Sequence, residues 1–383
     1  MKMTLVATCL FGLEHLLGEE IENLGYTRID TIDGRVYFEG DSEAVALSNV
    51  FLRYAERILI LLGSQKVTSF DELFEFTRSL PLENYIGRED AFPVRGHCIR
   101  STLFSVPDCQ KIVKRASAAR LSSVYGDTWL KESGTTYQME FFILKDRCDL
   151  MIDTTGVPLH KRGYRPEANA APLRETLAAA LAHMARPRED VLFVDPFCGS
   201  GTIAIEAAMQ MNRIAPGARR HFAAEQFSFV GKKYFDDARE EAREGEIRSP
   251  FEVLASDIDP ACVALTERNA RAAGVLHALR IEQADARRLQ KNGRRGTIVT
   301  NPPYGERMGS LAEVENLYRE IGRSFAQLAP WQIYIISSHE RFEALYGRRA
   351  DKVRKLYNGM IPCYYYQYFK NPDALKRKER ESK

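Results

Sequence analysis

The chain has 383 residues, 45% of them hydrophobic and 28% charged, which excludes a disordered polypeptide and leaves room for two or three packed domains. Its formal net charge of +2 hides a polarity, because residues 1–155 hold 17 Lys+Arg against 23 Asp+Glu while the remainder holds 37 against 29. No apolar stretch reaches bilayer length and no basic leader runs into an apolar core, so the sequence predicts a cytoplasmic protein with no membrane partner. The seven cysteines, at 9, 98, 109, 148, 198, 262 and 363, are scattered and never form C-x-x-C, and the seven histidines form no H-E-x-x-H group. Disulfides and a metal site are therefore not expected.

Residues 4–8 read as a strand, 13–24 as a helix stopped by Gly25, and 35–39 as a second strand after the turn Asp33-Gly34. A helix over 42–53 and a strand over 56–62 complete a split β-α-β unit of ferredoxin type. From 63 to 155 the pattern is again α+β. Helices at 71–79 and 108–124 alternate with extended runs at 98–102, 138–145 and 148–153. This half pairs no nucleophile with a base, so it reads as a binding and positioning device. Gly156, Pro158 and Gly163 mark a linker over 156–164.

Residues 165–383 change rhythm. Strands near 191, 252, 279, 297 and 332 alternate with helices near 173, 202, 232, 261 and 312, the signature of an α/β doubly wound parallel sheet. The run 353–369 carries the turn Asn358-Gly359 between two strand-like pieces, an antiparallel hairpin in which Tyr364, Tyr365, Tyr366 and Tyr368 read as strand packing. The segment 209–249 is longer than a usual crossover.

Four strand ends carry the chemistry. After the apolar run 191–194 comes Asp195-Pro196-Phe197-Cys198-Gly199-Ser200-Gly201-Thr202, a tight Gly-x-Gly turn leading into a helix. It lacks the Lys of a phosphate loop and the third Gly of a dinucleotide fingerprint. Asp195 suits a cationic ligand, and S-adenosylmethionine carries an ammonium and a sulfonium. Asp257, ending the run 251–256, is placed to bind ribose hydroxyls, whereas Asp259 before Pro260 reads as a helix N-cap. Asp285 fits either a hydrogen bond to the adenine amine or a plain loop. Finally, Asn301-Pro302-Pro303-Tyr304 follows the strand 297–300. An exocyclic base amine is a poor nucleophile because its lone pair is delocalised into the ring. The amide oxygen of Asn301 and the carbonyl of Pro302 can hold both amine hydrogens and stabilise the charge that builds on nitrogen, while Tyr304 offers a face for an unstacked base. Carbon methylation calls for a nucleophilic Cys, and position 301 is Asn.

The order D-P-F-C-G-S-G-T, S-D-I-D-P, Q-A-D-A-R and N-P-P-Y-G-E-R-M resembles the class I S-adenosylmethionine-dependent methyltransferases. Within them it is most similar to the THUMP-domain branch often labelled N6-adenine-specific methylases, whose best-understood relatives are bacterial 23S rRNA guanine-N2 methyltransferases of the RlmL N-terminal-half and YpsC-like type. The extension through Gly305-Glu306-Arg307-Met308 carries this likeness, as do Leu159-His160-Lys161-Arg162-Gly163-Tyr164-Arg165 and Ala171-Pro172-Leu173-Arg174-Glu175. Gln226-Phe227 departs from the Lys-Trp pair of the family, and puts nothing catalytic in doubt. The resemblance implies a seven-stranded Rossmann-like catalytic sheet behind an RNA-binding THUMP region at 63–155. It implies a cofactor site of Asp195, Phe197, Gly199, Gly201, Thr202, Asp257, Ile258, Asp285, Ala286 and Asn301, and catalysis by Asn301, Pro302 and Tyr304.

The RNA partner implied is large-subunit ribosomal RNA. Lys111, Lys114 and Arg115, on one face of the THUMP-like helix, and Lys161 and Arg162 in the linker with Arg165 just after it are expected to contact it. Arg219, Arg220 and Phe222 fit either an RNA path or a plain helical insertion. The runs Arg348-Arg349 with Lys352, Arg354 and Lys355, and Lys376-Arg377-Lys378, read as solvated basic surface. The reaction implied is direct methyl transfer to guanine N2. An N6-adenine methyltransferase, or a non-catalytic RNA-binding assembly protein, is the alternative.

Overall fold

The structure, a computed structural model, describes residues 2–165, 173–304 and 311–370. The chain divides into two compact units. The first comprises Met1–Cys9, Leu17–Leu159 and Gly217–Ala242, and the second Leu10–Leu16, His160–Pro216 and Arg243–Lys383.

In chain order the first half forms β1 (Met3–Cys9), α1 (Glu14–Asn23), β2 (Arg28–Ile32), β3 (Arg35–Gly40), α2 (Ser42–Phe51), β4 (Ala55–Lys66), α3 (Phe70–Ser79), β5 (Val94–Ile99), α4 (Val106–Tyr125), β6 (Met139–Leu144) and β7 (Arg147–Asp153). Local chemistry sets the helix ends. The Asp41 carboxylate caps α2 by accepting from Ala44 N (3.0 Å), Ser69 caps α3, and α4 has Pro107 in its first turn and Gly126 at φ 72° beyond its last. All seven strands join one sheet in the order β2-β3-β1-β4-β7-β6-β5, with only β5 and β6 parallel. The expected boundary at residue 62 thus falls inside β4. On β1 and β3 both faces are buried: Leu5, Ala7, Val36 and Phe38 lie wholly buried on one, and the other carries the smaller cluster of Val6, Tyr37, Leu59 and Met151.

The segment beyond residue 216 completes this unit. Gly217 N donates to Val50 O (2.9 Å), Phe227 stacks on Tyr137 at 4.3 Å, and α7 (Lys232–Glu244) buries Phe235, Ala238 and Ala242. Phe222 is buried, and the Arg220 guanidinium donates to the carbonyls of Leu159 and Val157. Neither Arg220 nor Phe222 is therefore open to RNA, whereas Arg219 just before them is exposed.

The second unit contains α5 (Glu175–Met184), β8 (Leu192–Asp195), α6 (Thr202–Met211), β9 (Val253–Asp257), α8 (Pro260–Ala273), β10 (Leu279–Gln283), β11 (Gly296–Thr300), α9 (Leu311–Ala326), β12 (Gln332–Ser337), α10 (Phe342–Tyr346), β13 (Lys352–Asn358) and β14 (Ile361–Tyr368). Its sheet runs β10-β9-β8-β11-β12-β14-β13. The first five strands are parallel, and β14 pairs antiparallel with β12 and β13. This is the seven-stranded mixed sheet expected. A core of Val194, Ile298, Tyr318, Ile321, Phe325, Ile335 and Phe342 lies against it, and Tyr365, Tyr366 and Tyr368 are packing residues as read from sequence. Among the described residues no helix is long and apolar enough to cross a membrane.

Candidate active site

The carboxyl ends of four neighbouring strands, β10, β9, β8 and β11, carry Asp285, Asp257, Asp195 and Asn301 in that order. Connections leave β8 toward β9 on one side and reach β11 on the other, so the crevice of an α/β sheet opens here.

The turn between β8 and α6 is held from several sides. Gly201 N closes it on Cys198 O (2.7 Å), and Gly199 N donates to Asp257 Oδ2 (2.9 Å). From α8, Thr266 Oγ1 donates to Gly199 O (3.0 Å) and Asn269 Nδ2 to Ser200 O (2.9 Å). Gly201 sits at φ +80°, and a Cβ there would lie 2.7 Å from the Thr266 methyl, so both backbone and packing demand glycine. Gly199, at φ +53°, faces open space, since a Cβ would meet nothing within 4 Å. That opening lets a ligand approach the backbone at the N-terminus of α6, where Thr202 begins the helix. Cys198 is a buried thiol whose pKa burial pushes up, which suits packing rather than nucleophilic chemistry.

Asp195 is 1% exposed, and burial pushes its pKa up to about 7. Thr300 Oγ1 donates to it (2.7 Å), tying the end of β8 to the residue before Asn301, and Phe197 packs on the core beside it. Asp257 accepts from Gly199 N and, through Oδ1, from Asp259 N (3.0 Å). Ile258 is 62% exposed next to it, and Asp259 caps α8 through Ala261 N (2.8 Å). Asp285 already receives the Arg287 guanidinium on both oxygens and the Arg287 N–H, contacts that hold its carboxyl below the ordinary range. An adenine amine would share those oxygens with Arg287. Ala286 is buried.

In the loop after β11, the Tyr304 hydroxyl donates to Asn301 Oδ1. The Tyr318 hydroxyl donates to Pro303 O (2.8 Å), whereas no donor among the described residues reaches the Pro302 carbonyl. The Tyr304 ring is half-buried, and burial drives its phenol pKa well up. Gly305, Glu306, Arg307 and Met308, like Ala171 and Pro172 and the basic run 376–378, lie outside the described residues.

The linker arginines are corrected. The Arg162 side chain is 1% exposed beside Glu206 of α6, at 3.5 Å, and Tyr164 donates to the same carboxylate. Arg165 donates to Thr202 Oγ1 (2.6 Å) and Leu173 O (3.1 Å) and pairs with Glu175 at 3.0 Å. These cations brace the helix that starts at the glycine turn, and burial keeps them from RNA. On α4, Lys111 and Arg115 are exposed, but Lys114 is occupied by Glu132 (2.6 Å) and the Phe92 carbonyl and ring. Lys161 is exposed. Sequence reading missed Thr266, Asn269, Thr300 and Tyr318; only Thr300, adjacent to Asn301, carried a positional hint. Among the described residues no cluster could hold a metal ion.

Comparison with known proteins adds to this geometry. Residues 162–367 match the family model described as RMKL-like, methyltransferase domain; residues 4–59 match an RlmL ferredoxin-like domain and 67–153 a THUMP domain. The chain is 43% identical to YpsC of Bacillus subtilis, by name a candidate RNA methyltransferase, over 98% of both chains. It is 28% identical to the ribosomal RNA large subunit methyltransferase K/L of Shewanella amazonensis, matching 96% of this chain but only 53% of that relative, about half its length. The crystal structure of SMU.472, a candidate methyltransferase complexed with SAH, superimposes with a TM-score of 0.89 at 38% identity, covering 96% of this chain and 98% of the other. The glycine turn, the acidic strand ends and the Asn-Pro-Pro-Tyr loop are thus those of a chain that belongs to the RMKL-like methyltransferase family.

Proposed function

We propose that this protein is an S-adenosylmethionine-dependent RNA methyltransferase that modifies an exocyclic purine amine, guanine N2 of large-subunit ribosomal RNA. The observation that carries it is the pair of acceptors at the end of β11. Among the described residues no donor reaches the Pro302 carbonyl while Tyr318 holds the carbonyl of Pro303, which leaves one backbone acceptor beside the Asn301 amide. Two neighbouring acceptors match the two hydrogens of an NH2 group, whereas a ribose hydroxyl has one to donate.

S-adenosylmethionine, when bound, supplies the electrophilic methyl group. The open cradle at Gly199 fits it, with Asp257 and Asp285 toward the nucleoside and buried Asp195 toward the cationic end. Asn301 and Pro302 then orient the amine lone pair along the line of attack and stabilise the developing positive charge. Because the Tyr304 hydroxyl rests on Asn301 Oδ1, an arriving base displaces it, and the released ring turns to stack on that base. Residues 63–155 form the RNA-binding module that presents the base.

The relatives' names support RNA as the substrate, and the family likeness supports guanine N2. Asn301→Ala is expected to lower the transfer rate about 10²- to 10³-fold while the dissociation constant for the cofactor product, read by calorimetry, stays near that of the wild type. Loss of cofactor binding with the transfer defect removes Asn301 from the amine site.

A further inference from the structure

The loop between β5 and α4 carries an unusual pair. Leu103 is 5% exposed and anchors the loop, while its neighbour Phe104 is 82% exposed. The backbone around them is held tightly. Thr102 N donates to Asp146 Oδ1 (2.6 Å), Asp146 N donates to Ser101 Oγ (3.1 Å), and Lys145 N donates to Ile99 O (3.2 Å). The loop is therefore fastened to the two-residue turn between β6 and β7.

That turn uses Lys145 and Asp146 at φ 50° and 67°, where hairpins favour Asn-Gly, and Arg100 in the facing loop sits at φ 48°. Side chains at such positions cost stability. Asp146 has a structural reason, its bond to Thr102. Arg100 and Lys145 have none, because both are exposed and, among the described residues, neither has an ion-pair or side-chain hydrogen-bond partner. Two exposed cations are thus held in strained backbone, Arg100 in the loop that carries the solvent-facing Phe104 ring and Lys145 in the turn bonded to that loop, in a half of the chain that carries net negative charge.

We propose that Phe104, with Arg100 and Lys145, is a stacking platform for an unpaired RNA nucleotide. The base lies on the Phe104 ring and the flanking phosphates on the two cations. This inference rests on the RNA reading above and adds the form of RNA bound. A duplex hides its base faces, so the platform selects single-stranded segments or ends. A protein partner would use the apolar area of Phe104 and not its π face.

The test measures fluorescence anisotropy of a short 5′-fluorescein single-stranded RNA, and of the same sequence as a duplex, with the full chain. Phe104→Ala is expected to weaken single-strand binding about tenfold, Phe104→Trp to preserve it, and Phe104→Leu to behave like Ala. Replacing Arg100 and Lys145 together by Ala should flatten the salt dependence by about 1.4 in slope. Unchanged affinity in Phe104→Ala, full rescue by Leu, or equal losses on duplex and single strand would each overturn the platform. The functional reading fails separately, if the wild type binds RNA but transfers no methyl group to it.

Discussion

In the proposed cofactor site, burial of Asp195 and the charge of the ligand would oppose each other. Its carboxyl, raised to about 7 from an ordinary 3.8, is half-protonated near neutrality in the folded protein. Between about pH 4 and 7 the folded chain holds a proton that the unfolded chain lacks, so this group's contribution to stability falls as pH rises through that window and is lowest above 7. A sulfonium and ammonium bound nearby, as proposed, would favour the ionised form. Cofactor binding should therefore release a proton, with affinity falling up to about tenfold per unit below pH 7. Calorimetry in buffers of different ionisation enthalpy reads this directly, and a flat affinity between about pH 5 and 8 separates Asp195 from the cofactor. Tyr304 gives a second residue-scale expectation. Tyr304→Ala should raise KM for RNA about tenfold, whereas Tyr304→Phe, which keeps the ring and frees Asn301, should leave it at or below the wild-type value. A Phe variant as weak as Ala would assign the hydroxyl, not the ring, to base capture.

At the scale of elements, periodicity made some features legible and tertiary packing hid others. The turn 195–202, the acidic ends of β9 and β10 and the hairpin of β13 and β14 could all be read because glycines, prolines and apolar runs mark them locally. β2 could not. Its residues Arg28, Ile29, Asp30 and Thr31 are exposed on a sheet edge, so nothing but pairing with β3 makes them extended. Arg162 and Arg165 misled for a related reason. A basic run at the end of a linker reads as exposed and open to RNA, and only the fold brings Glu175 and Glu206, from α5 and α6, to neutralise it. Removing one partner of such a pair strands a buried charge. Arg165→Ala should cost about 3–5 kcal/mol in chemical denaturation, and a variant of unchanged stability that loses RNA affinity would restore the surface role.

For the whole molecule, the sequence pattern conveyed two kinds of machinery, an α+β half that pairs no nucleophile with a base and an α/β half with a Gly-x-Gly turn. It did not convey that residues 217–242 return to the N-terminal unit, because that depends on contacts such as Phe227 with Tyr137 across ninety positions of chain. Nor can four loop residues choose among purine amines, since guanine and adenine present the same NH2 to Asn301 and Pro302. The most direct test of the central claim is mass spectrometry of nucleosides from unmodified ribosomal RNA, after incubation with purified protein and methyl-labelled S-adenosylmethionine. Label in N2-methylguanosine, absent with Asn301→Ala, is the predicted result. Label on a ribose oxygen or a base carbon, or no transfer at all, would contradict it.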